Sequence, residues 1–307
     1  MKRAMMDVDT GVDDALALIL ALRSPELYLE AVTTVAGNTS LENATRNTRL
    51  VLDVAQAPPE VLVARGAARP VARELVTAEI VHGADGLGNV TGVYPPPRHP
   101  LAEEEAADLL LERIDRYGEA LTVIATAPMT NLALAARRDA AIFRRVGEIV
   151  QMGGAIRVPG NISPLAEYNL YVDPEAAAEV VASGARLRLV PLDVTLQAAL
   201  LRSELRRLAQ ERHSAVFQFV REITVLCMDA HQKFLGLNGI HLHDPAAVAA
   251  ALDPTLFTWE PVRLTVRTGE AERGRTLATA DTNSPVALAT AVDAKRFLSL
   301  FTERVCR

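Results

Sequence analysis

Cysteine is almost absent: only Cys227 and Cys306 occur in 307 residues, and neither belongs to a Cys-x-x-Cys pair. Two such residues cannot form a disulfide framework, and a reducing cytoplasm is the simpler expectation. Long apolar runs are missing as well. The longest, Ala15 to Leu22, is far too short to span a bilayer, so no membrane association is expected. Asp7 and Asp9 interrupt any apolar signal segment after Met1-Lys2-Arg3. There is no basic excess either, with 32 Lys and Arg against 38 Asp and Glu and a net charge of −6. A nucleic-acid surface, which neutralises phosphates with a basic face, is not expected; small nucleosides stay compatible. Repeats and low-complexity stretches are lacking too. What is present is an ordinary globular balance, 50% apolar and 23% charged, enough to bury a real core.

Short apolar runs alternate with longer helical patterns. Strands are predicted over Ala4–Val8, Leu29–Val35, Val61–Ala64, Leu121–Ala125, Glu148–Met152, Leu187–Leu192 and Val262–Val266. The first carries Met5-Met6, a weaker β-former than Val or Ile. Helices are predicted over Asp14–Leu22, Leu41–Ala55, Glu103–Tyr117, Asn131–Arg137, Pro174–Ser183, Arg202–Arg212, Ser214–Ala230, Pro245–Leu252 and Ala294–Arg304. Asp173-Pro174 and Asp244-Pro245 supply an N-cap followed by a first-turn proline, and Gly118 and Gly184 fall at helix ends. Such alternation implies an α/β fold: an open, mostly parallel central sheet with helices on both faces. No composition shift marks a boundary, so residues 1–307 are expected to form one domain. Gly66–Pro100, rich in Gly and Pro, is expected to be an excursion from the sheet.

The most informative segment is Asp7-Val8-Asp9-Thr10-Gly11-Val12-Asp13-Asp14, directly before the apolar run Ala15–Leu22. It lies between the first strand and the first helix, at the carboxyl end of a strand, where ligands bind in open α/β sheets. Gly11 permits a sharp turn that lets Asp9 face Asp13 and Asp14. Carboxylates held this close repel one another unless a cation intervenes, and hard oxygen donors favour Ca²⁺ or Mg²⁺. Asp13 and Asp14 could instead merely favour the helix N-terminus. An EF-hand is excluded, because Gly11 comes one position early and Leu18 stands where its closing Glu belongs. A phosphatase with a strand-end Asp-x-Asp would also require a phosphate-binding lysine, and no convincing one follows.

Polar residues recur at later strand ends: Gly37-Asn38, Thr126 through Asn131, Met152-Gly153-Gly154, then Asn161 and Glu167-Tyr168-Asn169, and finally His241-Leu242-His243-Asp244-Pro245. Singly, each is an ordinary turn or cap residue. Their shared location at strand ends argues for one site.

Together with His82-Gly83-Ala84-Asp85-Gly86-Leu87-Gly88, these motifs occur in the order and at the separations of one family. Over essentially its whole length the chain resembles the inosine–uridine preferring nucleoside hydrolases. The resemblance implies hydrolysis of the N-glycosidic bond of ribonucleosides to ribose and free base, with one Ca²⁺ per subunit and a homo-oligomeric assembly. Asp9, Asp14, Asp244 and the backbone carbonyl of Thr126 would hold the metal. Asp13 would be the general base toward a water on that ion, and Asn38 would support the water and the sugar. Asn161, Glu167 and Asn169, with Met152 and Asp14, would bind ribose. His243 would protonate the leaving base, with His82 near it. Tyr168 would either stack near the base or simply pack.

Ala127 departs from the family pattern, which commonly has Gly there. Arg221–Asn238 falls where the family has a mobile loop over the base. Purine-specific members sandwich the base between tryptophans, and Trp259 is the only one here, so a nonspecific or pyrimidine-leaning enzyme is expected. His99 and His213 are expected at the surface, and His231 and His241 are secondary candidates for substrate contact. A non-catalytic nucleoside- or sugar-binding protein would not need Asp13, and a metal-dependent phosphatase would not need the Asn161, Glu167 and Asn169 set.

Overall fold

Side chains along Lys2–Val8 (β1) point alternately to opposite faces: Met5 enters one apolar cluster, while Ala4, Met6 and Val8 enter another. The same split recurs in Leu121–Ala125 (β4), with Val123 on one side and Ile124 on the other. In the computed structural model, which describes residues 1–307, a single sheet therefore separates two cores. The remaining strands are Leu27–Thr34 (β2), Leu62–Arg65 (β3), Glu148–Met152 (β5), Leu187–Val190 (β6), Ala199–Leu201 (β7), Gly239–His241 (β8), Phe257–Val266 (β9), Thr276–Ala280 (β10) and Val286–Val292 (β11).

Nine strands form the main sheet in the order β10-β9-β11-β6-β5-β4-β1-β2-β3, open at both edges. Pairing is parallel from β3 through β11, and antiparallel only where β9 meets β11 and β10. Leaving β1, the chain builds outward through β2 and β3, then returns to place β4 on the other side. That reversal opens a crevice above the carboxyl ends of β1 and β4. Helices Val12–Leu22, Leu41–Val54, Ala215–Leu235, His243–Leu252 and Ala294–Val305 cover one face; Ala106–Tyr117, Thr130–Arg138 and Pro174–Ala182 cover the other.

All seven predicted strands form. Met5 and Met6 are fully buried in β1, where a position inside the sheet between β4 and β2 outweighs weak β-propensity. β11 escaped prediction because Val286-Ala287-Leu288-Ala289-Thr290-Ala291-Val292 contains three alanines, poor strand formers. β7, β8 and β10 are only three to five residues long and carry little periodic signal. The predicted helix Arg202–Arg212 stops at Leu208.

The predicted helix Ser214–Ala230 forms and runs on to Leu235, so most of Arg221–Asn238, the stretch matching the family's mobile loop, is helical; Ile223, Cys227, Met228 and His231 are buried along one stripe. One expectation fails. His99 is buried rather than superficial, with Nε2 2.6 Å from the Val61 carbonyl. The Gly66–Pro100 excursion returns alongside β3, where Leu101 bridges to Val63, and this carries His99 inside. His213 is exposed as expected.

Helix His243–Leu252 is apolar all round, with Ala246, Ala247, Ala249, Ala250 and Ala251 buried. Its small side chains allow close approach to helix Val12–Leu22. Behind both, Phe297 and Phe301 of the last helix are completely buried. Phe297→Ala is expected to cost about 3–5 kcal/mol, the usual penalty for emptying a buried phenylalanine site. Urea denaturation measures it.

Candidate active site

Two helix N-termini converge above β1 and β4. One brings Asp13 and Asp14 in its first turn, and the other brings Asp244. An oxygen of each of these three carboxylates lies within 4.8 Å of the others. Asp14 spans the site: Oδ2 accepts from the Gly11 amide at 2.9 Å and Asn38 Nδ2 at 3.2 Å, while Oδ1 accepts from the Thr126 hydroxyl at 2.6 Å. Asp9 stands beside it and is tied to the same asparagine, accepting from the Asn38 amide at 2.6 Å and from Nδ2 at 3.2 Å.

Glycine makes this crowding possible. A Cβ on Gly37 would collide with Asp9 Oδ2. A Cβ on Gly11 would lie 2.6 Å from His82 Nδ1 and 2.9 Å from Asn38 Nδ2. Gly11 has φ −90°, so close approach rather than a left-handed turn is what demands glycine there.

The electrostatics are one-sided. No lysine or arginine pairs with these acids, and the only basic group within ion-pairing distance is His82, 3.8 Å from Asp13. Burial pushes Asp13 and Asp14 up to about 6, with Asp13 adding repulsion at Asp14. Asp9 and Asp244 are raised well above the carboxylate range, by burial first and then by repulsion from the other acids. Asp13 Oδ1 and Asp244 Oδ2 are buried with no hydrogen-bond partner. Unpartnered buried carboxylate oxygens are costly, and a hard divalent cation fits this donor set.

The ribose set expected from sequence gathers on the β5 side. Glu167 caps the helix Tyr168–Val172, accepting from the amides of Gly154, Asn169 and Leu170 at 2.9–3.2 Å. Its burial raises it to about 7. Asn169 Nδ2 donates to the Thr126 carbonyl at 2.8 Å and approaches the Met152 carbonyl at 3.3 Å. Asn161 is exposed, its Oδ1 accepting from the Tyr168 amide at 2.9 Å. Tyr168 spends its hydroxyl on the Val76 carbonyl at 2.6 Å, tying down the excursion after β3.

Burial disfavours the charged forms of His82 and His243. His82 Nδ1 accepts from the Val12 amide at 3.1 Å, and burial lowers it to about 4. His243 is lowered well below its ordinary value, first by burial and then by neighbouring histidines. Its ring lies 5.5 Å from that of His241, which lies 5.8 Å from that of His231. Trp259 is committed to packing, its Nε1 donating to the Pro254 carbonyl at 3.0 Å and its face covered by Arg188.

Sequence reading missed three supports. The buried Asp7 accepts from Thr33 and Asn131, and Asn131 in turn accepts from the Ala67 amide. Gln151 Nε2 donates to the carbonyls of Ala127 and Met152. Thr195 Oγ1 lies 2.7 Å from His243 Nδ1. Asn131 and Asp7 lie inside recognised motifs, whereas Gln151 and Thr195 carry no signal of their own.

A family model described as inosine-uridine preferring nucleoside hydrolase matches residues 4–299. The chain belongs to this family. It is a hydrolase acting on N-glycosyl compounds, with a nucleoside as substrate. It is 38% identical over 279 residues to uridine nucleosidase 1 of Arabidopsis thaliana, covering 90% of this chain and 81% of the relative. Among solved structures, a plant nucleoside hydrolase superposes with a TM-score of 0.94 at 33% identity, covering 99% of each chain. A purine-preferring ribonucleoside hydrolase from Gardnerella vaginalis superposes at 0.93 with 34% identity, covering 99% of this chain and 98% of that one. No helix of the nucleoside hydrolase described here is long and apolar enough to cross a membrane.

The raised acids predict an unusual pH response in chelator. Their folded pKa values exceed the unfolded ones, so between pH 4 and about 7 these acids hold more protons in the folded state and stability falls as pH rises; four histidines lowered by burial oppose this, but the six raised acids outweigh them. Thermal melts in chelator should therefore give a higher Tm at about pH 5 than at about pH 7.5, and added Ca²⁺ should raise Tm more at the higher pH.

Proposed function

We propose that this nucleoside hydrolase cleaves ribonucleosides to ribose and free base with one Ca²⁺ held by Asp9, Asp14, Asp244 and the Thr126 carbonyl, and with Asp13 as general base. One observation carries the reading. A buried pocket without lysine or arginine contains two carboxylate oxygens, on Asp13 and Asp244, that have no partner. Ca²⁺ there would compensate the charge, acidify a water and grip ribose hydroxyls.

The chain's own groups do the rest. Asp13, raised to about 6 by burial, suits a base working near neutrality, and its free Oδ1 can take the proton of the attacking water. Asn38 keeps Asp9 and Asp14 in register from a single amide nitrogen. Asn161, Glu167, Asn169 and Met152 hold the sugar so that binding energy becomes orientation. As the base leaves, C1′ becomes oxocarbenium-like, and the surrounding carboxylates stabilise that charge. His243 assists the departing base by donating a ring proton toward it, and burial disfavours its charged form. With the sole tryptophan committed to packing, an aromatic sandwich for purines lacks its parts, which supports a nonspecific or pyrimidine-leaning enzyme.

Reducing-sugar release from uridine, cytidine, inosine, adenosine and guanosine, with and without chelator, tests the reading. Release that chelation abolishes and Ca²⁺ restores is expected, with uridine among the better substrates. Silence on all five with Ca²⁺ present and the protein folded would overturn it. Asp13→Asn should lower turnover by about 10²–10⁴-fold, the range of general acid–base catalysis, while calcium titration calorimetry shows metal binding retained. Asp244→Ala should weaken Ca²⁺ in the same titration.

A further inference from the structure

The His243 ring makes one hydrogen bond with the protein. Thr195 Oγ1, at the end of the short helix Leu192–Thr195, lies 2.7 Å from its Nδ1. The His241 ring, 5.5 Å away between centroids, packs beside it without fixing which nitrogen carries the proton. A neutral imidazole has one N–H and one bare nitrogen, so the partner of Nδ1 decides what Nε2 presents to substrate.

We propose that Thr195 is a positioning residue for nucleoside cleavage: its hydroxyl donates to His243 Nδ1 and so places the ring proton on Nε2, facing the leaving base. The reversed bond would leave Nε2 bare and unable to donate. Two observations favour the stated direction. A buried helical threonine commonly donates to the carbonyl four residues earlier, as Thr45, Thr48 and Thr224 do in this chain. For Thr195 that carbonyl belongs to Pro191, which already accepts from the amides of Val194 and Thr195. Thr195 makes no such bond, so its proton is available to the histidine. Thr195 is also 1% exposed, and no competing solvent shell holds the hydroxyl.

The backbone brings the pair together across 47 intervening residues. β7 and β8 form a two-stranded antiparallel sheet in which Ala199 pairs with His241, and the Leu242 amide donates to the Ala198 carbonyl. This small sheet fixes the segment after Thr195 against the segment before His243. Thr195 contributes no charge and no metal donor, so its effect is confined to leaving-group departure.

The inference rests on His243 assisting that departure, and the test separates the two. Uridine needs help with its leaving group, whereas p-nitrophenyl riboside expels a stable anion. Thr195→Val keeps the shape and removes the hydroxyl. It should lower kcat on uridine by about 10- to 100-fold with KM little changed, less than the ~10²–10⁴-fold of losing the acid outright because the imidazole stays, and leave p-nitrophenyl riboside turnover within about twofold. Thr195→Ser should restore uridine cleavage. Equal losses on both substrates, or no loss on uridine, would overturn the proposal. His243→Ala serves as the control: selective loss on uridine there without selective loss in Thr195→Val sinks the Thr195 role alone, and undiminished uridine cleavage in His243→Ala sinks both. Independently of activity, long-range ¹H–¹⁵N spectra of the intact protein should show His243 protonated on Nε2. Protonation on Nδ1 would refute the stated direction.

Discussion

Mutual repulsion among buried carboxylates is the constraint around which this molecule is arranged. Asp9, Asp13, Asp14 and Asp244 share a space without a cationic side chain, and the fold must hold them there against both desolvation and one another. Two devices make this tolerable. Asp13, Asp14 and Asp244 sit in the first turns of helices, where backbone dipoles favour negative charge. Alanines along His243–Leu252 let its N-terminus come close to that of Val12–Leu22, with the phenylalanines of the last helix closing the packing behind them. The core is thus built to force together groups that would otherwise separate.

Around that centre, neutral donors do the fixing. Asn38, Asn131 and Asn169 each join two or more elements through one amide. Thr126 serves the site from both ends, its hydroxyl to Asp14 and its carbonyl to Asn169. An amide or hydroxyl adds directional order without neutralising the acids, as arginine or lysine would. The net negative potential is preserved for whatever cation and developing positive charge the site receives.

The central strands were legible because each is a short apolar run bounded by turn residues, and the acidic octet stood out because four carboxylates in eight positions have few structural uses. Asp9, Asp13, Asp14 and Asn38 could be grouped from sequence because two neighbouring strand ends deliver them. Thr195 and Gln151 could not. Their roles depend on pairing across the β7–β8 sheet and between β4 and β5, which no local pattern encodes. His99 misled because its burial comes from where the excursion after β3 returns, and a histidine among prolines reads as a surface residue. The helix from Ala215 was legible as far as Ala230 from its apolar stripe, whereas its end, Gln232 to Leu235, is exposed and carries no such signal.

The segment between β7 and β8 leaves the body at Leu201 and returns at Gly239, and the Arg202 amide donates to the Asn238 carbonyl at 3.0 Å to close its neck. Everything between those residues is an arm with adjoining ends, and its long helix carries Cys227 and His231 toward the histidine row. The residues proposed to hold sugar and cation all lie outside it. The arm is not loose, because Phe217, Phe219, Val220 and Ile223 of its helix lie in the same apolar core as the sheet. A change at the neck is therefore felt in that core as well as at the histidine row.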